Sequence, residues 1–333
     1  MKIIELNYKK FYGWCKKVIK KVAIILATFN GERYLKEQLD SLCRQTYCNI
    51  DVYVHDDMSA DNTMSLINEY IEREYKGIKF IFVDQSKLGY PQCFIKTLLS
   101  IPLYDYYAFC DQDDVWFDNK IEKAIKALEA FGTNSEPSLY YAAVDYYDSN
   151  LNYIRGARFV NTNLSEITNY SLQDMLLGGE AMGMTFLFNN RVRDALEETV
   201  KRGGNDFKDT FIKLYCAACG NIIYSYFPCA KYRRHSGATT VKMNPAGKLQ
   251  RTMGMIKKIF IDRDGLQSIQ QSVDFIYKQY VHNIKPENIE LISLFSSPST
   301  FAKKIKKVFW RKRFRLRLID EIGYRVAFLI GRI

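Results

Sequence analysis

Residues 106–116, YYAFCDQDDVW, place three carboxylates, Asp111, Asp113 and Asp114, at the end of an apolar run of strand character. Carboxylates packed this closely repel one another, so a fold that keeps them clustered usually holds a cation among them. A hard divalent cation that keeps several waters is most useful where it also binds a substrate diphosphate. The plainer alternative is that Asp113 or Asp118 caps a helix starting near Lys120 and the other acids are solvated loop residues.

The elements that would have to position these residues can be read upstream. Residues 22–27, VAIILA, form a continuous apolar run suited to a strand buried on both faces. The run ends in Thr28-Phe29-Asn30-Gly31 before a helical pattern through Leu35, Leu39 and Leu42. A second strand over 50–55 ends in Asp56 and Asp57, and Asp61 is placed to cap the helix carrying Leu66, Ile67, Tyr70 and Ile71. A third strand over 80–83 is followed by a loop with Gly89 and a helix from Pro91. The fourth strand delivers the DQDD acids. Strands alternating with helices predict an α/β fold with a doubly wound, mostly parallel sheet, whose ligands bind beyond the carboxyl ends of the strands. Thr28, Asn30, Asp56, Asp57, Gly89, Asp111 and Asp113 all fall at those ends, which points to a nucleotide site.

VAIILATFNG, Gln45-Thr46-Tyr47, VHDDMSADNT and FCDQDDVW together resemble the successive signatures of family 2 glycosyltransferases of the GT-A fold. The DQDDVW form is similar to that of bacterial rhamnosyltransferases that build surface polysaccharides. The similarity continues through MGMTFLFNN (182–190), KDTFIKLYCAACG (208–220) and YRRHSG (232–237), so it covers about residues 22–240. The resemblance implies an inverting transfer from a nucleotide-sugar donor, rhamnose from dTDP-rhamnose before a UDP-hexose, to a lipid-linked glycan acceptor. It implies that Asp56, Asp57 and Thr28 meet the nucleotide, with Asn30 and Gly89 in the same pocket. Asp111 would touch ribose and a divalent metal, Mg2+ or Mn2+, with Asp113 as the direct ligand and His235 assisting. Arg233 and Arg234 would offset phosphate charge, and Asp209 would be the general base. The chain reads Lys208-Asp209-Thr210-Phe211 where relatives often have His-Asp-Trp-Trp, and Asp206 competes for the base position. A sugar nucleotidyltransferase would share the sheet but would need a glycine-rich basic loop after the first strand, where this chain has Thr28-Phe29-Asn30-Gly31. An inactive scaffold subunit would be expected to lack Asp113 or Asp209, and both are present.

The chain has 333 residues, of which 47 % are hydrophobic and 14 % aromatic, a composition that argues against disorder. Its net charge of +11 sits at the two ends. Residues 301–333 carry eleven Lys or Arg against two acids, and residues 1–21 carry seven Lys against one Glu, which leaves residues 22–300 at −4. An acidic centre weakens any nucleic-acid reading. Ile305, Val308, Phe309, Leu316, Ile319, Ile322, Val326 and Leu329 recur at three- and four-residue steps among the basic residues of the tail. That pattern is expected of an in-plane interfacial helix on anionic lipid, or of a helix docked on the catalytic domain. No apolar run reaches the length of a membrane span and no signal-peptide core is present, so the expected location is cytoplasmic, peripheral to the inner face of the membrane. The eight cysteines show no framework spacing, and Cys216-Ala217-Ala218-Cys219 falls inside a helical pattern. The expected organisation is a catalytic domain over 20–240, a helical connector over 241–300 and a basic amphipathic, membrane-associating helix over 301–333.

Overall fold

The computed structural model describes residues 19–156, 167–177, 181–204, 209–235, 264–315 and 318–332. Asp206 and Lys208, the Ser236-Gly237 end of the YRRHSG segment, the first part of the expected connector, and Leu316 lie outside them.

The first half follows the expected alternation: β1 (Val22–Thr28), α1 (Glu32–Cys43), β2 (Ile50–Asp56), α2 (Thr63–Ile71), β3 (Ile78–Gln85), α3 (Gln92–Ser100) and β4 (Tyr106–Cys110). After the acidic loop come β5 (Val115–Trp116), α4 (Lys120–Phe131), β6 (Ser138–Ala142), β7 (Asp145–Tyr147) and β8 (Tyr153–Arg155). The chain continues through β9 (Ile167–Asn169), α5 (Leu172–Leu177), a 3-10 turn (Gly183–Thr185), β10 (Leu187–Asn189) and α6 (Asn190–Lys201). Then come α7 (Asp209–Cys219), β11 (Asn221–Ser225), β12 (Ala230–Arg233), α8 (Asp264–Gln279), α9 (Pro286–Phe295), α10 (Phe301–Val308) and α11 (Leu318–Leu329).

Among the described residues the main sheet has eight strands in the order β3-β2-β1-β4-β10-β6-β11-β9. β3, β2, β1 and β4 run parallel, with Ile24 flanked by Val52 and Ala108. β10 enters antiparallel between β4 and β6, and β11 returns parallel to β6. Side chains alternate between the sheet faces as the two-residue period requires. Val22, Ile24 and Leu26 join one core with Leu35, Leu39 and Leu42 of α1, whereas Ala23 and Ile25 join the other with α3 and α7.

A smaller sheet, β5-β12-β7-β8, is paired at Ala230↔Trp116 and Lys231↔Val115. This pairing brings the end of β12 back to the acidic loop that precedes β5. Asp61 accepts from the Thr63 amide at 3.0 Å and from the Glu32 amide at 3.1 Å, so one carboxylate secures the first turns of both α1 and α2.

The basic tail is two helices rather than one. Arg325 of α11 donates to the carbonyls of Val308, Trp310 and Lys312, and Glu321 accepts from the amides of Phe314 and Arg315 at 2.8 and 2.9 Å. These bonds satisfy the backbone groups that a continuous helix would have paired internally. Phe314, Tyr324, Ala327 and Phe328 are buried in the core that also contains α7 and Phe295. Trp310 donates to Gln173 at 3.0 Å and Arg315 to the Leu177 carbonyl at 2.5 Å, tying the tail to α5.

Candidate active site

The carboxyl ends of β1 and β2 are locked to each other. The Asp57 amide donates to the Thr28 carbonyl at 2.8 Å. The Asp56 carboxylate is fully buried and accepts from Thr28 Oγ1 at 2.8 Å, Ser59 N at 2.8 Å, Ser59 Oγ at 2.6 Å and Gln85 Nε2 at 2.9 Å. Asp56 therefore organises the strand ends through bonds to the protein itself. Asn30, with φ +46°, accepts from the Ala60 amide at 2.9 Å, and its own amide donates to Ser59 Oγ at 2.8 Å. The turn after β1 is thereby fastened to the turn after β2.

Asp57 fastens the next loop. It accepts from the amides of Leu88 at 2.5 Å and Gly89 at 2.9 Å and pairs with Lys87 Nζ at 3.0 Å. Burial works against ionisation, but the Gly89 and Leu88 amides and Lys87 bring the Asp57 carboxyl down to about 2. Gly89 sits at φ +70°, a left-handed conformation that glycine adopts without a steric penalty. Lys87 also lies over the Phe29 ring at 3.5 Å, so one cation links the β1, β2 and β3 ends.

The acidic loop is held on both sides. Gln112 accepts from the Phe29 amide at 2.8 Å and donates to the Phe29 carbonyl at 2.9 Å, clamping the ends of β4 and β1 together. Asp113 Oδ2 lies 2.8 Å from His235 Nε2, and the His235 ring packs 4.7 Å from Tyr34. Asp114 is fully buried; one oxygen accepts from the Arg233 amide at 2.9 Å and the other has no hydrogen-bond partner among the described residues. Burial, then repulsion from Asp113 and Asp209, pushes the Asp111 carboxyl up to about 7.

Asp209 opens α7. One of its oxygens accepts from the Gly183 amide at 2.7 Å. Burial raises its carboxyl to about 6 against the opposing pull of that amide and of Lys213. The turn that presents Gly183 is anchored by the buried Lys120, whose ammonium donates to the Met184 carbonyl at 2.5 Å and lies over Trp116 at 3.1 Å. Burial lowers Lys120 to about 8, and Cys229, Cys110, Asp114 and Asp111 favour its charged form.

Thr28, Asn30, Asp56, Asp57 and Gly89 meet at the strand ends and Asp113 meets His235 at the acidic loop, with two changes of duty: Asp56, expected at the nucleotide, is taken up by Thr28, Ser59 and Gln85, and Arg233 turns inward as well. Arg233 is 2 % exposed and donates to the Asp113 and Ser149 carbonyls at 2.8 Å and to Glu37 at 2.5 Å, while stacking 4.5 Å from the Tyr34 ring. It shapes the acidic loop, and its expected contact with phosphate gives way to these internal bonds. Arg234 uses its amide to bond the Tyr147 carbonyl at 2.8 Å. Sequence reading passed over Tyr34 and Glu37, although they fall at i and i+3 on the helix that follows Asn30-Gly31. Gln112, Lys87, Lys120 and Gly183 carry no local signal that marks a role at the site.

Among the described residues no three His, Cys, Asp or Glu side chains converge as a complete metal cage. The adjacent Asp113 carboxylate and His235 imidazole, beside the mutually repelling Asp111, suit an ion that completes its shell with substrate phosphate and water. Cys216 and Cys219 are buried within α7, with thiols that burial pushes upward.

Residues 23–199 match the sequence profile described as glycosyl transferase family 2. The chain is 35 % identical over 127 residues to "dTDP-rhamnosyl transferase RfbG" of Shigella flexneri, covering 37 % of this chain and 43 % of that protein. It is 25 % identical over 222 residues to "Uncharacterized glycosyltransferase RP339" of Rickettsia prowazekii, covering 66 % of this chain and 65 % of that one. The matches thus span less than two thirds of either relative. Among solved structures, S. aureus TarS 1-349 in complex with UDP-GlcNAc superimposes with a TM-score of 0.52 at 15 % identity, over 94 % of this chain and 91 % of that one.

Proposed function

The chain belongs to glycosyl transferase family 2, and on that premise we propose that it moves rhamnose from dTDP-rhamnose to a lipid-linked glycan acceptor during bacterial surface polysaccharide synthesis. It is a glycosyltransferase of GT-A architecture, with a mixed sheet flanked by helices and a helical C-terminal region. The choice of donor is supported by the similarity to a dTDP-rhamnosyl transferase, which lies in a partial-length match, and by DQDDVW.

The observation that carries the mechanism is the placement of Asp209 at the first turn of α7, held by the Gly183 amide at 2.7 Å and near enough to the acidic loop for its charge to disfavour ionisation of Asp111. The donor diphosphate lies against Asp111, Asp113 and His235, and the acceptor enters from the Asp209 side. Asp209 takes the proton of the acceptor hydroxyl as that oxygen bonds to the anomeric carbon. The bond from that carbon to the diphosphate breaks on the opposite face, its electron pair leaves with the diphosphate oxygen, and configuration inverts. Asp113 and His235, with Asp111, would hold a divalent cation, Mg2+ or Mn2+, which would offset the charge developing on the leaving group. Asp57 and Gly89 shape the wall that receives the nucleotide, and Arg233 positions the Asp113 loop.

Thermal-shift measurement against a panel of nucleotide-sugars, with and without Mn2+, tests the reading. A ligand at one hundred times its dissociation constant stabilises a protein by about 2.7 kcal/mol. dTDP-rhamnose should give the largest metal-dependent shift. A larger shift with a UDP-hexose overturns the donor assignment, and equal shifts without metal overturn the role of the cation.

A further inference from the structure

Helix α11 has two apolar sides. Tyr324, Ala327 and Phe328 are packed into the core, with Phe328 edge-on to Phe295 at 5.6 Å and to Phe314 at 5.5 Å. Ile319, Ile322, Val326 and Leu329 are between 46 % and 54 % exposed. At 3.6 residues per turn these four positions form one stripe, on the side opposite the buried set. Leu318 and Ile330 extend it at 56 % and 53 % exposure. An apolar stripe that the fold itself does not need marks a surface built for something other than water.

The surroundings of the stripe are cationic. Arg311, Lys312 and Arg313, in the connection between α10 and α11, are exposed, as is Lys306 of α10. Among the described residues none of these four has an ion pair. The only acids of the tail, Asp320 and Glu321, are buried, and Glu321 is committed to Arg325 at 2.6 Å. The positive charge therefore faces outward without compensation.

We propose that the stripe seats in the boundary between headgroups and acyl chains of an anionic lipid bilayer, with Lys306 and Arg311 to Arg313 over the lipid phosphates. An amphipathic helix with a basic rim binds such a surface in-plane, by apolar burial plus attraction to anionic headgroups. A second copy of the chain fits less well. A symmetric dimer places the same patch against itself, and segment 301–333, with a net charge of +9, would meet its own like charge. The buried side already fixes α11 on the catalytic domain, so the helix needs no folding on contact. Unlike a free basic helix, it presents a preset face, which orients the domain on the membrane.

Co-sedimentation of the intact chain with phosphatidylglycerol-containing vesicles tests this. The protein should pellet with them, bind phosphatidylcholine vesicles far less, and lose binding as salt rises. The double variant Ile322→Asp, Val326→Asp should lose affinity by at least about tenfold, because two charges enter the apolar boundary, while its melting temperature stays at the parent value. The triple variant Arg311→Gln, Lys312→Gln, Arg313→Gln should show a weaker salt dependence than the parent, since only Lys306 of the four remains. The proposal fails if the intact protein stays in the supernatant with anionic vesicles, or if the double variant binds as the parent does. It also fails if sedimentation velocity shows a dimer that the double variant dissolves in the absence of lipid, since a second copy then covers the stripe. None of these readouts uses transfer activity, so this test and that of the donor assignment are independent.

Discussion

The Gly183 amide donates to one oxygen of Asp209 at 2.7 Å, and a Cβ added at Gly183 would fall 2.6 Å from the other oxygen. The candidate base is therefore held against bare backbone with no room beside it. Gly183→Ala should displace the carboxylate and lower the rate of transfer by about 10²-fold, the scale of a misplacement of about 1 Å. Nucleotide-sugar binding, read by thermal shift, should persist. A variant with parental turnover would remove Asp209 from the base role.

Asp209→Asn keeps the shape of the side chain and removes its basicity. Transfer should fall by about 10² to 10⁴-fold with donor binding retained. In the parent, burial raises this carboxyl to about 6, so activity should climb with pH through about 6 and level off above it. The folded-state value lies above the unfolded one, so the stabilisation from this group is full below the unfolded value and is lost as pH rises through about 6. The Asn variant should accordingly be at least as stable as the parent at neutral pH, by up to about 3 kcal/mol in denaturant titration. A pH profile without a limb near 6 would place the base elsewhere.

Asp113→Ala removes a half-buried carboxylate from a loop, leaving the sheet and both cores in place. The variant should melt close to the parent yet show no metal-dependent shift with nucleotide-sugar, and chelation should reduce the parent to the same state. Full turnover by Asp113→Ala in chelator would end the assignment of the acidic loop to a cation.

Arg233→Gln tests whether this arginine positions or binds. Losing it strands the Asp113 and Ser149 carbonyls and Glu37, at a cost of about 2 to 4 kcal/mol. The melting temperature should drop even without ligand, which a purely phosphate-binding arginine at the mouth of the pocket would not cause.

Phe328→Ala excavates the junction of Phe295, Phe314 and Phe328 and should destabilise the protein by about 3 to 5 kcal/mol, the usual cost of truncating a buried phenylalanine. Denaturant titration measures it. A change below about 1 kcal/mol would mean that the tail is only loosely attached.

The parallel half of the sheet was legible because VAIILA and its successors carry one signal, continuous apolar runs punctuated by Asn, Asp and Gly. The polar residues at the strand ends were legible for the same reason. What escaped was the wiring between distant segments. Nothing local in Arg233 says that its guanidinium is consumed by Asp113, Ser149 and Glu37, since β12 reaches that loop only through its pairing with β5. Gln112 carries no local mark of its reciprocal bond to Phe29. The tail defeated a one-face reading because its apolar periodicity contains two stripes. Tyr324, Ala327 and Phe328 serve the core, and the Ile319 to Leu329 series does not. The break between α10 and α11 depends on Arg325 folding back onto carbonyls 13 to 17 residues earlier, beyond the reach of helical periodicity.

The core that begins with Ala23 and Ile25 of β1 passes through Phe211 and Ile212 of α7 and ends at Phe328 of α11. Contiguous buried contacts of this kind open as a unit, so the helix carrying Asp209 and the last helix of the chain belong to one cooperative block. Amides of α7 and α11 should exchange with solvent at comparable free energies. Damage at the carboxyl end, whether a proteolytic nick or a buried charge, should then be read as lost protection in α7, some 120 residues away in sequence.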